Sequence, residues 1–128
     1  MDETVCVEDL FYIVGREDKY DEKRKDIKEL TEGLDPDKYV IVLDHQPNDY
    51  AAEAEAGVDL VLSGHTHGGQ FFPVTKAGEW MKANDRTYGH EKRENTDFIV
   101  TSGISDWEIF FKTGTKSEYV IVKVEGEK

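Results

Sequence analysis

Three short apolar runs that break off abruptly into polar residues limit this fold more than any other feature of the chain. "LFYIVG" at residues 10–15 closes on Gly15, "YVIVLDHQP" at 39–47 turns polar at Asp44-His45, and "VDLVLSGHTHGG" at 58–69 turns polar at Ser63. Uninterrupted runs of this kind read as strands covered on both faces. Between the first two runs, Ile27, Leu30 and Leu34 recur at helical spacing, with Gly33 as a helix end and Pro36 just beyond. The charges around them read as a solvated helix face. "NDYAAEAEAG" at 48–57 offers Asn48 as a cap, an alanine-rich body and a glycine stop, which predicts a short helix. The order strand, helix, strand, helix, strand predicts an α/β (α+β) layer.

After "FFPV" at 71–74 the pattern weakens, and residues 75–95 read as a short helix or a long loop. Long loops in compact domains often carry function, and this one could line an acyl or sugar pocket. "DFIVTSG" at 97–103 returns to strand, and two apolar stretches around "TGTKS" within 107–126 predict a closing hairpin. Trp80 and Trp107 read as packing residues.

A chain of 128 residues predicts one domain, 1–128. With 16 basic and 28 acidic residues it carries a formal charge of -12. That excludes a duplex-binding surface and predicts no nucleic-acid partner. It leaves room for a small anion, because a metal supplies local positive charge. The single cysteine, Cys6, forms no internal disulfide, so a reducing compartment is allowed. No run approaches the roughly 20 apolar residues of a membrane span, and "MDETVCVEDL" does not read as a signal peptide. The expected location is cytoplasmic or membrane-peripheral.

Three polar clusters each follow a predicted strand: Asp44-His45, Ser63 to His67, and Thr101 to Gly103. In α/β sheets, sites form where strand ends meet. Neighbouring strands would bring His45, His65 and His67 within reach of a shared metal centre. Neutral imidazole suits borderline metals, and two imidazoles at i and i+2 can clamp one ion or face two. Gly64, Gly68 and Gly69 let an ion or phosphate approach the backbone. Gln70 and Ser63 could contact a phosphate or bond locally. Asp44 could orient His45 or form a turn, and Arg16 could reach an anion or stand exposed. His90 has no such company and is assigned no role.

"VLSGHTHGGQFFP" resembles the final G-H-x-H motif of the calcineurin-like metallophosphoesterases, and "VLDHQP" resembles their penultimate histidine motif. The likeness is closest to the bacterial branch of membrane-associated phosphohydrolases and lipid A precursor pyrophosphatases. It runs from "FYIVGRED" onward and takes in "FIVTSGISDWEIFFKTGTKSEYVIVKV" as the family's C-terminal strands. The resemblance implies half of a metallophosphoesterase-type β-sandwich flanked by helices. It further implies two divalent ions (manganese, iron or zinc), His45 and His65 on one and His67 on the other. A bridging hydroxide would attack phosphorus in line, with Gly68 and Gln70 against the substrate.

The family's D-x-H, G-D-x-x-D and G-N-H-[DE] motifs do not occur in this chain. Those motifs supply most of the metal ligands and a proton donor, so no catalytic residue is assigned here. The resemblance therefore implies the C-terminal half of such an enzyme, inactive alone and holding at most one ion weakly. The implied partners are the missing N-terminal half and a phosphorylated small molecule or lipid-linked substrate. Without that half, Ile41, Leu43, Leu60, Leu62 and Ile99 would leave an apolar patch and drive a twofold homodimer. The favoured reading is part of a metal-dependent phosphoesterase. The alternatives are a non-catalytic metal-binding module and a structural module.

Overall fold

Register aligns one row of side chains across the middle of the sheet. Val14 pairs with Val42, Val42 with Val61, and Val61 with Phe98, and all four are 0–1% exposed. The computed structural model describes residues 2–71, 76–105 and 112–126. Its elements are β1 (Glu3–Val7), β2 (Phe11–Gly15), α1 (Ile27–Thr31), β3 (Tyr39–Leu43), α2 (Tyr50–Glu55), β4 (Leu60–Ser63), α3 (Ala77–Trp80), β5 (Gly89–Arg93) and β6 (Thr96–Val100). They form one six-stranded sheet in the order β1-β2-β3-β4-β6-β5. Strands β2, β3, β4 and β6 run parallel, and β1 and β5 flank them antiparallel. This is the α/β layer that the alternating pattern predicts.

Helices α1 and α2 bury one face. Ile27 and Leu30 from α1, and Tyr50 and Ala54 from α2, join the valine row in one core. Tyr50 stacks on Phe98 with ring centroids 3.9 Å apart. The opposite face carries Ile13, Ile41, Leu43, Leu62 and Ile99, half-buried except for Leu43, which is 45% exposed. Leu60, expected in the exposed patch, is instead buried among its neighbours.

Several expectations give way to tertiary contacts. β1 carried no sequence signal; its strand is held by pairing with β2. The helix expected through the charged tract shrinks to five residues, because burial of Ile27 and Leu30 supports only one turn. The tract's charges are not all solvated. Arg16 and Arg24 are drawn inward by ion pairs to Asp44. Asn48 does not cap α2. The cap position is Asp49, at φ 75°, and the Tyr50 N–H donates to Asp85 Oδ2 at 3.2 Å. Residues 89–93, left as a possible loop, pair with β6. Trp80 is 76% exposed rather than packed. Of the expected closing hairpin, residues 119–124 are assigned to no strand and are exposed. Its other half, 107–111 with Trp107, and most of "FFPV" fall outside the described residues. Among the described residues no helix is long and apolar enough to cross a membrane.

A buried ionic cluster staples the strand ends. Arg16 follows β2, and its guanidinium donates to Asp44 at 3.0 Å and to Glu53 at 3.1 Å. Arg24 grips the same Asp44 carboxylate at 2.6 and 3.2 Å. Asp49 lies 3.3 Å from both arginines at the exposed rim. Glu53 is fully buried, and its Oε2 has no hydrogen-bond partner among the described residues. Burial, reinforced by the neighbouring Asp44 charge, pushes its carboxyl up to about 8 against the opposing pull of Arg16. A protonated Glu53 leaves two arginines facing two carboxylates, which balances the cluster.

Two measurements check this architecture. Phe98→Ala should lower unfolding stability by about 3–5 kcal/mol in urea denaturation, because the emptied site is walled by sheet and helix. Folded Glu53 keeps a proton that the unfolded chain releases above its ordinary 4.5. Its contribution to stability is complete below that value and is lost as pH rises toward about 8. Glu53→Gln should therefore flatten the fall in stability seen between those pH values for the unaltered chain.

Candidate metal centre

The parallel strands run out at one edge, and backbone bonds carry their pairing past the last residue. Arg16 N donates to Leu43 O, Asp44 N to Leu62 O, Gly64 N to His45 O and Thr101 N to Ser63 O, at 3.0–3.2 Å. This zipper draws the segment after β3 against the segment after β4. His65 Nδ1 and His45 Nε2 come to 3.1 Å, with the rings edge to face at 76°.

That distance tests whether the pair fits a metal. Imidazole nitrogens bind zinc at about 2.0–2.1 Å, so two of them in a tetrahedral shell stand about 3.3 Å apart. The observed spacing and crossed rings suit two donors on one ion. Burial, then the neighbouring His45, hold His65 below the ordinary histidine value. This favours the neutral imidazole that a metal requires.

His67 sits on a short 3-10 turn, His67–Gly69, and lines the same cleft. Its Nδ1 lies 3.0 Å from the Ser105 carbonyl oxygen. A carbonyl only accepts, so Nδ1 carries a hydrogen in this contact. The histidines are therefore a pair and a neighbour. Among the described residues no three His, Cys, Asp or Glu side chains form a group able to hold an ion. His90 lies elsewhere, on β5, with Nε2 2.7 Å from Asp97.

The turn bearing these rings is strained. His65 and His67 have φ of 65° and 48°, Gly68 64°, Gly69 75° and Gln70 32°. Left-handed backbone at residues other than glycine costs roughly 1–2 kcal/mol each. Gly68 is required twice over, because a Cβ there would also lie 2.4 Å from Thr115 Cγ2. It does not line the histidine cleft. It lines an adjoining shallower cleft instead, beside Thr115, whose hydroxyl donates to His67 O at 3.1 Å. Gln70 is buried and lines the cleft, while its backbone oxygen accepts from Thr113 N at 2.9 Å.

Sequence reasoning misplaced two residues and missed others. Asp44 is committed to Arg16 and Arg24 rather than to His45. Arg16 is buried, not an exposed anion hook. Gln46, 1% exposed, ties the 16–19 loop to the β3 end by accepting from Lys19 N at 3.3 Å. Asn84 and Thr87 also line the cleft of about 560 Å³ that holds the three histidines. Their only sequence signal was the length of the loop that carries them.

Comparison with known proteins adds the family. No protein-family model and no solved structure matches the chain. Curated relatives do match. An uncharacterized metallophosphoesterase of Campylobacter jejuni is 33% identical over 106 residues, covering 80% of this chain and 27% of the relative. A transmembrane protein with metallophosphoesterase domain from Bos taurus is 34% identical over 96 residues, covering 73% and 21%. An uncharacterized metallophosphoesterase of Aquifex aeolicus is 44% identical over 70 residues, covering 50% and 26%. The chain spans about a quarter of the length of these relatives. Their names carry the superfamily and not the lipid A branch. With histidines gathered at the sheet edge and relatives of this kind in bacteria and animals, the chain belongs to the calcineurin-like metallophosphoesterase superfamily.

Proposed function

We propose that this chain carries the histidine side of a phosphoesterase metal centre and holds one divalent transition ion, weakly, through His45 and His65. The observation that carries the reading is the 3.1 Å approach of His65 Nδ1 to His45 Nε2 from the ends of adjacent strands. In this reading His67, whose Nδ1 bonds the Ser105 carbonyl, would serve a second ion through Nε2. The acidic ligands for a dinuclear centre would come from the remainder of a protein as long as the relatives. Such ions, when bound, polarise phosphoryl oxygens and acidify a coordinated water. The chain's own part is to fix the imidazoles on a rigid sheet edge and to line the substrate cleft with Gln70, Asn84 and Thr87. The substrate class is a phosphate ester or pyrophosphate, small or lipid-linked. A cytoplasmic or membrane-peripheral setting fits it.

The lack of a three-ligand group among the described residues favours a second reading, a metal-binding module without catalysis. Calorimetric titration of the isolated chain with Zn²⁺ or Mn²⁺ tests both. One weak site is expected, reduced at least tenfold in His45→Ala and His65→Ala, with phosphoesterase turnover at background. Two tight sites, or turnover well above background, would overturn the proposal. Zinc binding that survives both substitutions would remove the pair from it.

The open sheet face belongs to the same reading. In the isolated chain it pairs with a second copy as a twofold dimer, with Ile41, Leu43, Leu62 and Ile99 at the contact. Sedimentation equilibrium should give twice the 14.6 kDa chain mass. Leu43→Glu should return it to the monomer with zinc affinity unchanged. A monomer at millimolar concentration would count against the dimer alone.

A further inference from the structure

We propose that Lys19 is the cation that anchors the substrate's phosphate when that phosphate sits on the ion held by His45 and His65. This deepens the phosphoesterase reading above and rests on it.

The loop after β2 is pinned to the loop that carries His45. Arg16 N donates to Leu43 O at 3.0 Å. Buried Gln46, the residue after His45, accepts from Lys19 N at 3.3 Å, and its amide donates to Asp18. Lys19 is thereby delivered to the end of the sheet where the histidines meet. Its side chain is half-buried and borders the arginine cleft beside the histidine one. The ammonium donates to Ala83 O at 3.1 Å and lies 5.1 Å from the centre of the Tyr20 ring. Ala83 precedes Asn84, which lines the histidine cleft, so Lys19 ties the loop after β2 to the loop that walls that cleft. An ammonium has three donors. One is used on a neutral carbonyl, and among the described residues no carboxylate pairs with it.

The charges around His65 place Lys19 electrically. After burial, the groups acting on this ring are, in falling order, His45, Lys19, Asp18 and His67. Lys19 therefore outweighs the opposing Asp18 there, whose carboxylate is itself engaged by Tyr20 N at 2.9 Å and by Gln46. The guanidiniums nearby are committed elsewhere, Arg16 and Arg24 to Asp44, Glu53 and Asp49.

A cation beside two metal-binding imidazoles works against a site that holds only a metal, because like charges repel. It turns favourable when the ion carries an anion. The chain as a whole has a formal charge of -12 and repels phosphate, so a local cation is needed to hold one. Lysine is a point charge on a flexible four-carbon stem. An ammonium whose charge already bears on His65 can turn from Ala83 O to a phosphate oxygen, exchanging a neutral acceptor for a charged one. Charge-assisted bonds of that kind are roughly twice as strong as neutral ones.

The test measures two affinities with opposite expectations: zinc for the chain by calorimetry, and methyl phosphate for the zinc-saturated chain by NMR shift titration. Lys19→Met should bind methyl phosphate about fivefold more weakly, the upper end for an exposed ion pair. It should bind zinc as tightly as the unaltered chain or more tightly, because a repelling charge is gone. Lys19→Gln keeps an N–H donor for Ala83 O without the charge and should match Lys19→Met, whereas Lys19→Arg should retain the phosphate affinity. Lys28→Met, which removes a distant surface charge paired with Glu55, should change neither affinity. The phosphate difference between the unaltered chain and Lys19→Met should shrink as salt is raised. A structural tie alone would weaken zinc and phosphate together and be relieved by glutamine, and that result would overturn the proposal. So would methyl phosphate binding that is equal in the unaltered chain and Lys19→Met, or absent from the zinc-saturated chain; in both cases the one-ion reading stands. If the unaltered chain binds no zinc, that reading and this inference fall together.

Discussion

Four parallel strands that end at one edge are the constraint on which the rest of this structure depends. Their shared direction puts the residues after β2, β3, β4 and β6 on a single line. Backbone bonds then extend the pairing by one or two residues beyond each strand. His45 and His65, 20 residues apart in the chain, meet because β3 and β4 are neighbours in register. A shift of one residue in that register would turn every side chain on the strand to the other face and separate the rings.

The same edge concentrates costs that a purely structural sheet would avoid. Two buried arginines are held against Asp44 and Glu53, and burying charge gains little stability over apolar packing. The histidine turn runs through left-handed backbone at His65, His67 and Gln70, and the buried Thr87 hydroxyl has no hydrogen-bond partner among the described residues. The histidine turn and Thr87 share one cleft and the arginines border another, whereas the core beneath is ordinary valine, phenylalanine and tyrosine packing. Strain and unpaired polar groups tend to persist where function retains them.

The two faces of the sheet differ in kind. One is sealed by α1 and α2, and its central row is inaccessible. The other offers half-buried aliphatic side chains with no covering layer among the described residues. A chain that spans about a quarter of its relatives' length is compatible with a layered fold in which more protein packs on that face. The superfamily and the alternation of strands and helices are thus consistent with the sheet observed, as half of a two-layer arrangement.

Much of this was legible locally. The apolar runs of β2, β3 and β4, the glycine at the end of α1, and the H-x-H after a strand follow from the spacing and chemistry of neighbouring residues, which the chain carries whatever its fold. The superfamily was legible in the same way, from contiguous residues around His45 and His65. What the chain could not declare locally was decided by pairing between distant segments. β1 exists because β2 offers an edge, and Arg16 and Arg24 are buried because Asp44 and Glu53 arrive from β3 and α2. Two histidines form a pair and the third stands beside them because the turn after β4 bends through left-handed backbone. Thr87 joins the cleft because Thr66 holds it there. Such contacts depend on register and packing across the sheet, and those exist only once the strands have assembled.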